Sequence, residues 1–255
     1  MRVYTVRRGS AGILFFIVFP LLSNCGLPDE SYLPPVSISA IQVTMTSRAT
    51  IQLPNNITDP NFKNFKLFYR IYISDQDVTE SIAQDNTDLM GTINSTLRSN
   101  VSSINTDPAN TAINTATVRN YFTSYRFYEL ELEGRSMDTF LRTSGRLLID
   151  FPLITGSIPY VEKGSERYNL FRSTGDGVFT PETDDLYLRN TEKLNSSAFA
   201  NTTQNADVAD NASAGTPRYT YILIYIVSSG FDSSNLNTIY STPTFVGVFR
   251  LPELS

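Results

Sequence analysis

The chain has 255 residues, 41% of them apolar, with 13 Gly and 13 Pro, enough for a packed core and inconsistent with a collagen-like or wholly disordered chain. Twenty-five acids against 20 bases give a net charge of −5, without the basic face that grips a nucleic-acid duplex. His and Trp are absent and Cys occurs once, which excludes Ser-His-Asp triads, Cys-His dyads and the usual zinc, copper and iron sites.

Arg2, Arg7 and Arg8 form a positive segment, followed by twelve apolar, Gly or Pro residues from Ala11 to Leu22. A bilayer-spanning helix needs about 20, so the run fits the hydrophobic part of a signal peptide, residues 1–24. Leu22-Ser23-Asn24-Cys25 follows directly. It resembles the lipobox of bacterial lipoproteins, in a looser form with Asn24 before the Cys, similar to that of spirochaete lipoproteins. The resemblance implies that Cys25 becomes the first mature residue and carries acyl chains, palmitate among them. It also implies a place in the bacterial cell envelope, at the outer membrane on its periplasmic face or at the cell surface. A secretory signal with an unmodified Cys is the alternative. Cleavage would remove Arg2, Arg7 and Arg8, leaving 17 bases against 25 acids and a net charge of −8. The membrane partner would then be held by lipid on Cys25 rather than by a polybasic patch.

Residues 25–35 are Pro-rich and polar and read as a tether. From Val36, period-2 alternation predicts strands at Val36–Met45, Ala49–Leu53 and Phe65–Ile73, with Phe65, Leu67, Tyr69, Ile71 and Ile73 on one face of the third. Asp77 and Glu80 then suit a capping box. Val78, Ile82, Leu89, Ile93, Leu97, Val101 and Ile104 recur at helical spacing and predict one or two amphipathic helices, stopped at Asp107-Pro108. Strands resume at Ser124–Glu133, and Thr139–Phe151 and Tyr160–Phe171 read as further strands or a hairpin. Asn190–Thr216 is polar and predicts a surface loop. Tyr219–Val227 is the most apolar stretch of the mature chain, Gly230–Leu236 reads as a polar turn, and Ile239–Leu251 closes the chain as one or two strands.

Many short strands with polar turns predict a mainly β fold, a sandwich. Phe65–Ser74, with Tyr69-Arg70, is similar to the third strand of fibronectin type III domains. Tyr219–Gly230 with Ser241-Thr242-Pro243 and Phe245–Phe249 is similar to their last hairpin. Leu53-Pro54 stands where that family has a Trp, and Tyr219 and Tyr221 do not map onto its tyrosine. The resemblance implies a fibronectin type III/Ig-like sandwich over residues 36–255, with a long insertion of about 75–218 that contains the helices.

Chemistry is sparse. There is no GxxxxGK[ST] and no GxGxxG, and neither a cofactor nor a metal site is expected. On the Ser124–Glu133 strand, Glu129, Glu131 and Glu133 share a face. They read either as a solvated face offset by Arg142 or Arg146, or as carboxylates for calcium or glycan hydrolysis. Asp176, Asp184 and Asp185 lie near Gly175 and Gly177 without the EF-hand spacing. The candidate interaction face is aromatic: Phe68, Arg70, Tyr72, Tyr219, Tyr221 and Tyr225 point away from the predicted core. Tyr and Arg anchor many interfaces; alternatively the 78–104 segment covers that face. The sequence therefore points to a lipid-anchored, non-enzymatic binding or structural module with a protein or glycan partner and no nucleic acid. The alternative is an envelope hydrolase acting on glycans through carboxylates.

Overall fold

Alternation of apolar and polar residues builds the first sheet. β1 (Ile41–Met45) and β2 (Arg48–Leu53) form a hairpin. In β2, Ala49, Ile51 and Leu53 are buried while Arg48 and Gln52 are exposed. β5 (Glu131–Leu132), β6 (Gly145–Asp150), β7 (Tyr160–Lys163) and β8 (Glu166–Phe171) complete an antiparallel sheet in the order β1-β2-β6-β7-β8-β5. This structure is a computed structural model. It describes residues 33–45, 47–55, 57–74, 122, 126–154, 156–173, 188, 206–210, 215, 219–233 and 236–251. The signal segment, Cys25, the predicted helices at 78–104 and Asp176, Asp184 and Asp185 lie outside the described residues.

The second sheet is built on two long strands, β3 (Phe62–Ser74) and β10 (Tyr219–Asp232), paired antiparallel from Tyr219↔Ser74 to Gly230↔Phe62. On the free edge of β10 lie β11 (Asn237–Tyr240) and β12 (Thr244–Arg250). On the free edge of β3 lie β4 (Tyr128–Glu129), antiparallel, and β9 (Val208–Asp210), parallel. β3 thus neighbours β10, and β11 and β12 follow one another along the other edge of β10. Phe65, Leu67, Tyr69, Ile71 and Ile73 of β3 and Ile222, Ile224 and Ile226 of β10 meet Ala49, Ile51, Leu53, Leu147, Ile149 and Val161 of the first sheet in one core. The fold is mainly β, two largely antiparallel sheets packed as a sandwich.

Four local expectations are corrected. Ser124–Glu133 is not one strand: it divides at Leu130, whose N–H donates to Leu67 O, so β4 joins the second sheet and β5 the first. Thr139–Phe151 does not start as a strand, because Met137–Phe140 forms a helical turn, α1, with Met137 and Phe140 buried; residues three apart share a helix side. Gly230–Asp232 continues β10 rather than turning. A Cβ on Gly230 would lie 2.2 Å from Asn61 O, so only Gly lets the two backbones approach. Within the polar stretch 190–216, Asp207, Val208 and Ala209 are buried, because β9 adds to the edge of β3 and its backbone finds ladder partners there.

The last segment divides into β11 and β12 at Ser241-Thr242-Pro243. Pro243 has no N–H for a ladder. Ser241 holds the break, its Oγ accepting from Ser228 N at 2.8 Å and its N–H donating to Ser228 O at 2.9 Å.

Candidate functional site

The proposed aromatic face is covered. Tyr72, Tyr221 and Tyr225 are buried, and they pack with Phe122, Phe127, Ala209, Leu223, Val227 and Val248 as a second apolar layer on the outer side of the second sheet. Phe68 stacks on Phe122 with ring centroids 4.2 Å apart. Tyr225 meets Phe127 edge-on at 5.3 Å and Phe245 at 5.4 Å. Phe68, Arg70 and Tyr219 are half-buried. The Arg70 guanidinium lies over the Tyr72 ring, and Arg250 lies over Tyr219. Tyr72, Tyr221 and Tyr225 therefore belong to an inner layer, and Phe68, Arg70 and Tyr219 stand half-buried at its margin. The signal was present in the sequence: from Tyr219 to Val227 only Thr220 is not apolar or aromatic, the pattern of a strand buried on both faces.

The three glutamates do not converge on one face. Lys66 Nζ donates to both Glu129 oxygens at 2.8 Å and also reaches Asp138 at 3.2 Å. Burial alone would lower the Lys66 pKa, but Glu129 and Asp138 outweigh it and raise it. Ser173 Oγ lies 3.4 Å from Glu131, and Asn169 Nδ2 donates to Glu133 at 2.6 Å. Arg146 reaches Thr50 Oγ1 instead of the glutamates. Among the described residues no cluster of three or more Cys, Asp and Glu has metal-holding geometry.

A buried ionic cluster lies between the sheets, unannounced in the sequence. Arg172, just past β8, Asp207, just before β9, and Tyr69 of β3 are fully buried. Arg172 grips Asp207 through two parallel bonds, of 2.9 and 2.5 Å. Tyr69 OH donates to Asp207 Oδ2 at 2.7 Å and accepts from Ser173 N at 2.9 Å. The contact ties the end of β8, next to the edge strand of the first sheet, to β9 at the edge of the second. Burial, then the Asp207 charge, pushes the Tyr69 phenol well above its ordinary value. A raised pKa favours folding below about pH 10, the unfolded value, and that contribution is lost as pH climbs from there toward the folded value. Urea midpoints should therefore fall above about pH 10, with Tyr69 contributing at most about 1.4 kcal/mol per pH unit. Tyr69→Phe should flatten part of that fall. An unchanged alkaline slope in this variant would contradict the assignment.

The exposed features lie elsewhere. After β6 the chain makes a loop whose base is pinned: Phe151 N donates to Ser47 O, and the Phe151 ring stacks on Phe249 at 5.1 Å. Asp150 is gripped by Arg48 and accepts from Tyr160 OH at 2.8 Å, while the Arg167 guanidinium lies 3.4 Å from the Tyr160 ring centroid. On this base Ile154 is 71% exposed and Leu153 50% exposed. Comparison with family models, with curated proteins and with solved structures finds no match.

Proposed function

We propose that the protein is a lipid-anchored protein of the bacterial cell envelope, placed at the outer membrane and acting as a non-enzymatic binding or structural module. The observation that carries this reading is the twelve-residue apolar run that follows three Arg and abuts the sole Cys, Cys25. Two or three acyl chains hold a protein stably at a membrane, where one chain does not.

The interior favours a module over a hydrolase. Glycoside hydrolysis needs two carboxyl groups facing each other across a substrate cleft. Glu129 is engaged by Lys66, Glu133 by Asn169, and Asp207 is sealed beneath Arg172 and Tyr69. The exposed Leu153–Ile154 loop offers an apolar contact suited to a protein partner. It stands at the end of the sandwich remote from the point where the chain enters. Phe151, at its base, stacks on Phe249, which pairs with Ile222 at the start of β10. The N-terminal strap meets β10 at Ser228.

Cys25→Ala is expected to abolish palmitate labelling and to move the protein from the detergent to the aqueous phase. Unchanged partitioning in that variant would sink the reading.

A further inference from the structure

The chain enters the sandwich beside the far tip of the second sheet. Ser228 Oγ donates to Pro34 O at 2.6 Å, and the Leu33 Cδ1 atom lies 3.0 Å from where a Cβ of Gly230 would stand. The next residue, Phe231, is 40% exposed, and Asp232 pairs with Asn237 across the turn that carries Leu236, 74% exposed. Leu236 is doubly out of place. Its φ is +55°, a left-handed conformation unfavourable for a branched side chain, and Asn235 and Asn237, which tolerate it, flank the position. Its side chain is mostly in solvent and contributes little to the core.

The same end carries exposed cations. Lys63 follows Phe62, the partner of Gly230. Arg142 follows Leu141, whose carbonyl accepts from Phe65 N. Of the acids at this end, Asp232 is buried, Asp59 accepts from Asn61 N, and Asp138 faces Lys66. A chain that is acidic overall thus turns basic side chains and two apolar ones toward the end where its N-terminus leaves the fold.

We propose that this end, with Phe231 and Leu236 at its tip, docks onto the lipid bilayer and sets the sandwich upright on the membrane. The inference rests on the anchor reading of Cys25. Seven residues separate Cys25 from Leu33, so eight Cα steps of 3.3–3.6 Å span at most about 29 Å. An acylated Cys25 therefore keeps the tip within one tether length of the headgroups. Apolar side chains next to cations match the interface of an anionic membrane. From Ile222 to Phe231, nine residues at about 3.4 Å each put the Leu153–Ile154 end about 30 Å further out.

The test uses the full acylated protein in vesicles of phosphatidylethanolamine and phosphatidylglycerol. Spin labels are placed on Leu236→Cys, Phe231→Cys and, as the distal reference, Ile154→Cys. Labels at 236 and 231 should collide several-fold less with a water-soluble nickel chelate than the label at 154, and more with oxygen. Vesicle-bound protein whose three labels are equally open to nickel overturns the docking and leaves the anchor standing. Protein that washes off the vesicles overturns the anchor, and the docking with it. Protection that appears only at high protein density assigns the tip to a second copy and overturns the bilayer as its occupant.

Discussion

Asp207→Ala is expected to destabilise the domain by about 3–5 kcal/mol, the cost of leaving one partner of a buried ion pair alone. Whole domains are stable by about 5–15 kcal/mol, so the loss is a large share of the total. Arg172 is fully buried and directs two bonds at Asp207, and Tyr69 directs a third. Without the carboxylate a guanidinium and a phenol stay in the interior with their donors aimed at a void. The measurement is a urea denaturation followed by far-UV circular dichroism. Arg172→Met combined with Asp207→Leu should recover much of the loss, because an apolar pair of similar volume avoids the desolvation cost. A loss below about 1 kcal/mol in the single variant would mean that water reaches the pair.

The second large effect comes from adjacent residues of β10. Ile224 faces the core between the sheets, and Tyr225 faces the outer aromatic layer. Ile224→Ala should cost about 2–5 kcal/mol and Tyr225→Ala about 3–5 kcal/mol, since both leave cavities in packed surroundings. An ordinary half-buried strand would show alternation, one large loss and one small. Two large losses side by side are the signature of a strand covered on both faces. Thermal melts of the two variants decide it. A near-neutral Tyr225→Ala would mean that the layer formed by Phe122 and Phe127 does not stay closed in solution. A near-neutral Ile224→Ala would place the register one residue out, because a single slip exchanges the faces.

The exposed parts were the hardest to read from sequence. The Leu153–Ile154 loop has visible punctuation in Pro152, Gly156 and Pro159, but local composition does not say which apolar residues stay outside. Phe231 and Leu236 lie in a stretch that reads as a polar turn. The Gly230 there serves a close approach to Asn61 within a strand, which no neighbouring residue reports. The glutamate run failed as a single face for a comparable reason. Its alternation from Phe127 to Glu133 is regular, yet the chain changes sheets at Leu130, so Glu129 and Glu131 end up on different ladders.

The sequence by itself determined the class of fold and the inward face of its two principal strands. Side chains on a strand alternate with period 2, and that period is written locally in Phe65, Leu67, Tyr69, Ile71 and Ile73 and in Ile222, Ile224 and Ile226, all of them buried. The tertiary structure alone decided what covers the other face, where β9 joins, and which charges meet. Tyr69 bonds Asp207 across 138 residues, and Arg172 bonds it across 35. Such partners are chosen by how the insertion returns to the sheet edges. A buried Arg or Asp looks, in sequence, like any solvated one; burial turns the pair from a surface contact of little consequence into one whose loss costs a large share of the domain's stability.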